Sequence, residues 1–199
     1  TMRNGSALFA FITGNEEPAE TGVRMICAHS DSPSFKIKPS PEMKVDDHYL
    51  KFNTGVYGGP ILMSWLDRPL SMAGRVVLES NNPLEPEIRL VNFNRPMMVI
   101  PNLAIHLNRS VNEGVELNKQ TDMLPLTGIL KEEQQEKGFL KELLAREAGV
   151  ESSRILDYDI TLAEHSRGCI MGAHNEFISS PRIDDLAMVH AGLQAITQS

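Results

Sequence analysis

No run of apolar residues in this sequence approaches the roughly 20 that a bilayer-spanning helix requires. The first residues, TMRNGSALFAF, also lack the basic segment, apolar core and cleavage site of a secretory leader. Basic excess is missing as well: the formal net charge is −7, which argues against nucleic acid or an anionic membrane as partner, since both attract basic surfaces. These absences lead to an expected cytoplasmic location. Cysteine is scarce. Cys27 and Cys169 stand in unrelated contexts without a CxxC pair, so neither a zinc knuckle nor a disulfide framework is indicated, and both are expected to be free buried thiols. The sequence has no internal repeat, no low-complexity tract, no GxxxxGK[ST] or GxGxxG phosphate loop, no HExxH helix and no GxSxG elbow. A hairpin turn accounts for the Gly-rich stretch GVYGGP.

What remains is an ordinary globular composition, 41% hydrophobic and 23% charged over 199 residues, enough to bury a real core. Ser6 to Lys38 offers short apolar strands, ALFAFI, VRMICAH and FKIK, with the turn-forming GNEEPAETG between the first two. Pro39 and Pro41 then remove backbone donors and read as a connector at a domain boundary. From about Met43 to Glu164 the chain is punctuated by Gly, Pro and Asn into the strand candidates HYLKFN, ILMSWL, AGRVVLE, IRLVNF, MMVIP and LAIHL, which suggests an antiparallel barrel or sandwich. Its one strong helix candidate is KEEQQEKGFLKELLAREAG, where Phe139, Leu140, Leu143 and Leu144 form an apolar stripe and Gly149 supplies a stop. The last region returns to an apolar segment, GCIMGAHNEFISSP. A helix from about Asp185 follows, with Leu186, Val189, Leu193 and Ile196 on one face.

Chemistry concentrates at two places. In CAHSDSP, Cys27 to Pro33, a strand would put His29 and Asp31 on the same side. An imidazole can bind a divalent cation while a neighbouring carboxylate orients it. The same residues equally suit a strand-end turn in which Asp31 and Ser32 cap backbone amides. In SSPRIDDLA, Asp184 and Asp185 meet the start of a helix, where acidic residues are favoured as caps and by the helix dipole. A carboxylate there can instead bridge two metal ions about 3.5–4 Å apart. His174 and Glu176 lie at strand spacing and could face a site, whereas His48, His165 and His190 read as ordinary surface or helix positions.

Both motifs occur in one chain, in this order, separated by a long strand-rich stretch, and with them the sequence resembles the M18 family of metalloaminopeptidases, the aspartyl aminopeptidase family. AHSDSP resembles the family's His-x-Asp-Ser-Pro segment and SPRIDDLA its Arg-Leu-Asp-Asn segment. PNLAIHLNR, MRNGSAL and YGGPILMSWLDRPLSMAGRVV resemble others, so the likeness spans nearly the whole chain. The resemblance implies His29 as a metal ligand, Asp31 as the carboxylate that supports it, and Asp184 as the metal-bridging ligand. Asp185 stands where the family has Asn and receives no metal role. His106 matches a family histidine that reaches a neighbouring subunit's active site and holds the developing charge of the substrate carbonyl. The alternation of Leu103, Ile105 and Leu107 with Ala104, His106 and Asn108 agrees with a projecting strand side chain, as it does with a plain exposed histidine.

The implied cofactor is zinc, two divalent ions in the complete site, with cobalt or manganese as permissive alternatives. The implied partners are a peptide substrate and further copies of the chain, as a dimer building to a dodecamer. The implied fold is α/β: an incomplete zinc-peptidase α/β domain, residues 1–38 and 166–199, interrupted by an inserted β-rich dimerisation or lid domain, residues 39–165. The family's Glu-Glu pair and later Asp and His ligands follow the Arg-Ile-Asp-Asp segment and have no counterpart before Ser199. This chain is therefore expected to be an inactive fragment, lacking parts at both ends, of a protein that hydrolyses acidic or neutral N-terminal residues from peptides. Two alternatives stand beside that reading: a non-catalytic oligomerisation module, and an M42-type aminopeptidase with the same two-metal logic.

Overall fold

The computed structural model describes residues 2–3, 5–130 and 137–198. In chain order its strands and helices are β1 (Met2–Arg3), β2 (Ala7–Leu8), α1 (Pro18–Thr21), β3 (Ser34–Val45), β4 (Tyr49–Tyr57), β5 (Leu70–Leu78), β6 (Glu87–Asn92), β7 (Leu126–Ile129), α2 (Phe139–Ala148), β8 (Ile155–Glu164), β9 (Cys169–Met171), β10 (Phe177–Ser179) and α3 (Ile183–Thr197). The chain divides into two compact units, Thr1–Ser32 with Arg167–Ser199, and Pro33–Ser166.

In the second unit six strands pair antiparallel in the order β6-β5-β8-β3-β4-β7. Met98 exchanges hydrogen bonds with Leu70 on β5 (2.8 and 3.2 Å), and Val99 exchanges them with Leu126 on β7 (2.7 and 3.1 Å). Hydrogen bonding thus runs in a circuit from β5 through β8, β3, β4 and β7 back to β5, the closure expected of an antiparallel barrel. Alternation supplies its filling: Leu70, Met72, Val76 and Leu78 of β5 and Ile160 and Leu162 of β8 are buried with Phe35, Phe52 and Ile100. Gly74 lets β5 and β8 approach so closely that a Cβ at this position would overlap the Asp159 carbonyl oxygen.

Helix α2 lies on this core through Leu140, Leu144, Ala145 and Ala148, with Phe139 and Leu143 partly buried beside them. Residues 131–136, the first part of the expected longer helix, lie outside the described residues, and the helix itself starts after Gly138, whose φ of 84° is left-handed. The Glu42 carboxylate accepts the Leu140 N–H at 2.9 Å, and the Arg89 guanidinium donates to the Ala148 carbonyl at 2.8 Å. Opposite charges thus meet the complementary ends of the helix dipole.

Several expectations need correction here. Pro39 and Pro41 are not a connector: they lie within β3, in an irregularity between Ile37 and Glu42 where Lys38 to Pro41 face the single residue Asn53 of β4. A bulge is where a strand tolerates residues without an N–H. ILMSWL is a 3-10 turn at Leu62–Trp65, LAIHL folds into turns, and MMVIP contributes isolated bridges instead of a regular strand. Strands β7 and β8 fall outside the strand candidates that the sequence offers.

In the first unit β1 pairs with β2, and β9 with β10. Residues 23–31 form no ladder, so the expected strand VRMICAH has no partner strand among the described residues. Cys27 and Cys169 are free but exposed, not buried.

Candidate metal centre

The site is built within the first unit, by the segment Ala28–Ser32 and the start of α3. Pro181 follows the β9–β10 hairpin, and Arg182, left-handed at φ 63°, turns the chain into the helix. Asp184 (φ −83°, ψ 110°) and Asp185 (φ −119°, ψ 24°) are not yet helical, and the peptide between them is cis. Both carboxylates therefore stand ahead of the first regular turn. Among the described residues no side chain caps the start of α3. The capping role that a pair of aspartates ordinarily fills is not what these two do.

Their contacts go to His29. The imidazole Nδ1 lies 2.8 Å from the Asp31 carbonyl oxygen and 3.4 Å from Asp31 Oδ1. A carbonyl oxygen only accepts, so Nδ1 carries the hydrogen and the Nε2 lone pair is left pointing outward. Nε2 lies 3.3 Å from Asp184 Oδ1. The Asp185 carboxylate accepts the His29 main-chain N–H at 3.2 Å, and the Ser32 hydroxyl donates to the Asp184 carbonyl at 3.4 Å. Two segments more than 150 positions apart in sequence are thus held together by ring, main-chain and hydroxyl contacts.

The hydrogen bond to the Asp31 carbonyl holds the His29 ring above the usual histidine range. Partial desolvation opposes it, and the carboxylates of Asp185, Asp31 and Asp184 add to it. The side chains of His29, Asp31 and Asp184 are 54%, 58% and 92% exposed. Ion pairs so open to water stabilise a fold little, so stability does not account for the arrangement.

The donor chemistry fits zinc. Imidazole nitrogen and carboxylate oxygen each bind zinc at about 2.0–2.2 Å, and two such donors on a tetrahedral ion stand roughly 3.3–3.5 Å apart. Nε2 and Asp184 Oδ1 have that separation, 3.3 Å. Among the described residues no group of three or more His, Cys, Asp or Glu is arranged to hold a metal ion. His29 and Asp184 thus offer two donors at that spacing, not a complete set.

Of the residues singled out from the sequence, the structure brings His29, Asp31 and Asp184 together. His106 belongs to the other unit, exposed, in a turn where the Ala104 carbonyl accepts the N–H groups of Leu107 and Asn108. Strand alternation does not apply to it. Glu176 accepts the His174 N–H at 2.7 Å, a local contact in the β9–β10 hairpin. Asp185 and Ser32, which the sequence offers only as caps, join the two segments as well. Their partners are main-chain atoms, which no residue pattern displays.

The model of the peptidase M18 family, described as aminopeptidase I zinc metalloprotease, matches residues 1–199, and the chain belongs to that family. A probable M18 family aminopeptidase 2 of Clostridium novyi (strain NT) is 51% identical over 197 residues, covering 99% of this chain and 46% of that protein. Among solved structures, the Ape4 and Nbr1 complex contains a chain 35% identical, with a TM-score of 0.77 over 86% of this chain and 35% of that one. The S. cerevesiae mApe1 dodecamer matches at 25% identity and a TM-score of 0.63, over 81% of this chain and 36% of that one. The M42-type alternative gives way to the M18 match. The chain spans less than half the length of the curated relatives it matches.

Proposed function

We propose that the protein to which these residues belong is a zinc-dependent aminopeptidase that removes acidic or neutral residues from peptide N-termini, with His29 and Asp184 as donors to a two-ion centre. The observation that carries this reading is the 3.3 Å approach of Nε2 to Asp184 Oδ1 with Nδ1 already committed to Asp31. Zinc, when bound, supplies the Lewis acidity that polarises a peptide carbonyl and activates water. The chain's own residues prepare for it. Asp31 fixes the tautomer and direction of the His29 ring. Asp184, with two oxygens on a side chain open to solvent, has the form of a bridging ligand. His106, exposed in its turn, is available to a substrate carbonyl in a neighbouring subunit, as the family resemblance implies.

Further copies of the chain as partners, dimer to dodecamer, are part of the proposal and are supported by the likeness to a dodecameric relative. The division in which Pro33–Ser166 interrupts the unit bearing the site supports an inserted domain that serves as lid or dimerisation surface. No helix among the described residues is long and apolar enough to cross a membrane, which agrees with the proposed cytoplasmic location. A second reading, a non-catalytic assembly module, is favoured by one observation: edge strand β6 exposes Ile88 (59%) and Leu90 (81%).

Calorimetric zinc titration separates the two. In the full-length protein, binding that His29→Ala and Asp184→Ala each weaken supports the metallopeptidase, and zinc-independent self-association without zinc binding supports the module. The 199-residue chain alone is expected to release no N-terminal amino acids. It brings together two donors, one fewer than the three protein ligands of catalytic zinc sites. Metal-dependent release by the purified chain would overturn that statement.

A further inference from the structure

We infer that Asp185 is a positioning residue for the metal centre: its carboxylate holds the main chain of His29, and thereby the imidazole, in the orientation that presents Nε2 beside Asp184. The inference rests on the metal-centre reading above and goes beyond it. The hydrogen bond runs from the His29 N–H to Asp185 Oδ2 at 3.2 Å across 156 positions of sequence. An aspartate at the start of a helix ordinarily accepts from the amides of its own first turn. Here it accepts from a different segment, one that forms no ladder and so has no neighbouring strand, among the described residues, to fix its main chain. The ring is fixed at Nδ1 by Asp31, two residues along the same segment. That contact sets the ring relative to its own segment. Only a contact from α3 sets the segment relative to Asp184. Asp185 supplies one such contact and the Ser32 hydroxyl, at 3.4 Å from the Asp184 carbonyl, a longer one.

The residue type also matters. This chain has Asp where the resembled family pattern has Asn. A carboxylate accepts a more strongly charge-assisted hydrogen bond than an amide does, and it adds negative charge near a cation site. Asparagine at this position would keep an acceptor oxygen while losing the charge.

The test uses the full-length protein and Zn2+ alone, with affinity measured by chelator competition and hydrogen exchange followed by mass spectrometry on the metal-free protein. Asp185→Ala is expected to speed exchange of the His29 amide and to weaken zinc binding about 10–100-fold, the range seen when groups that orient a ligand are removed. Asp185→Asn is expected to restore slow exchange and most of the affinity, a rescue that a merely space-filling side chain would not show. Unchanged exchange and affinity in Asp185→Ala, with His29→Ala weakening binding, would overturn this inference and leave the metal centre standing. An asparagine variant no better than alanine would overturn it as well. Unchanged zinc affinity in His29→Ala would remove the metal-centre reading and the inference with it.

Discussion

Tyr158 shows how much a single side chain can do in this fold. From the middle of β8 its hydroxyl donates to the Lys38 carbonyl at 2.9 Å, satisfying an acceptor in the β3 irregularity that the ladder leaves free. Partial burial pushes the phenol above its ordinary pKa, with the Glu42 and Asp157 carboxylates adding to the shift and a Ser40 backbone contact opposing it. Because the folded value lies above the unfolded one, the linked stability is fully present below pH ~10 and is lost as pH rises through the folded value. Tyr158→Phe is expected to cost about 1 kcal/mol at neutral pH and to flatten the alkaline fall in stability, both measurable by urea unfolding across pH. His29 carries the opposite charge logic but the same sign. Its raised value means that the metal-free ring stays protonated to higher pH than free histidine, which a histidine-resolved NMR titration checks. Not all of this was legible at the residue scale. His29 and Asp184 stand out because two motifs recur in order, and Asp185 does not, because its partner is a backbone amide. His106 stands out through the family resemblance, and the strand alternation that agrees with it is overridden by turn chemistry: Asn102 Oδ1 takes the Leu103 N–H and Asp67 Oδ1 the Asn102 N–H, bending the segment before a strand can run.

Among the elements, α2 is the one whose sequence and structure agree best, since its stripe of Leu140 and Leu144 is buried and Gly149 ends it in the left-handed conformation. Leu144→Ala is expected to cost about 2–5 kcal/mol, as removal of a fully buried leucine does, read as a lower urea midpoint with unchanged slope. Glu42 and Arg89, which close its two ends, come from β3 and β6 and are invisible to any local pattern. Strand β8 could have been found: Ile155, Ile160 and Leu162 are its buried members, and half-buried Tyr158 falls at period two with the last two. The polar residues between them hid the run. Gly74→Ala is expected to force β5 from β8 at the Asp159 carbonyl, at an overpacking cost of about 1–3 kcal/mol, and so to lower the same midpoint.

For the whole molecule, the contrast between the two units is the main physical fact. The Pro33–Ser166 unit has a closed core. In the other, no described residue is buried, and Phe9, Phe11, Val23, Met25, Ile26 and Ile178 are each more than 70% exposed. Helix α3 is apolar on more than one side: Val189 and Ile196 are half-buried while Leu186, Met188 and Leu193 are exposed, the signature of a helix meant to be covered all round. Hydrogen exchange on the 199-residue chain is therefore expected to protect β3, β4, β5 and β8 strongly and residues 5–32 and 167–198 weakly. In the full-length protein the latter should gain protection. The sequence suggested apolar strands here, but a strand becomes one only when a neighbour accepts its hydrogen bonds, and VRMICAH has none among the described residues.

The placing of β8 between β5 and β3 has a consequence for synthesis on the ribosome. Strands β3 and β4 can form one hairpin and β5 and β6 another as they emerge, linked on one side through Met98, Val99 and β7, yet the circuit stays open between β5 and β3 until residues 155–164 arrive and fill the gap. Until then Phe35, Met72 and Val76, all fully buried in the finished unit, lie on strands that border the open gap. A nascent chain stalled before Ile155 would hold paired strands and no closed barrel, and the step from one to the other would come abruptly, only after residues 155–164 had left the tunnel.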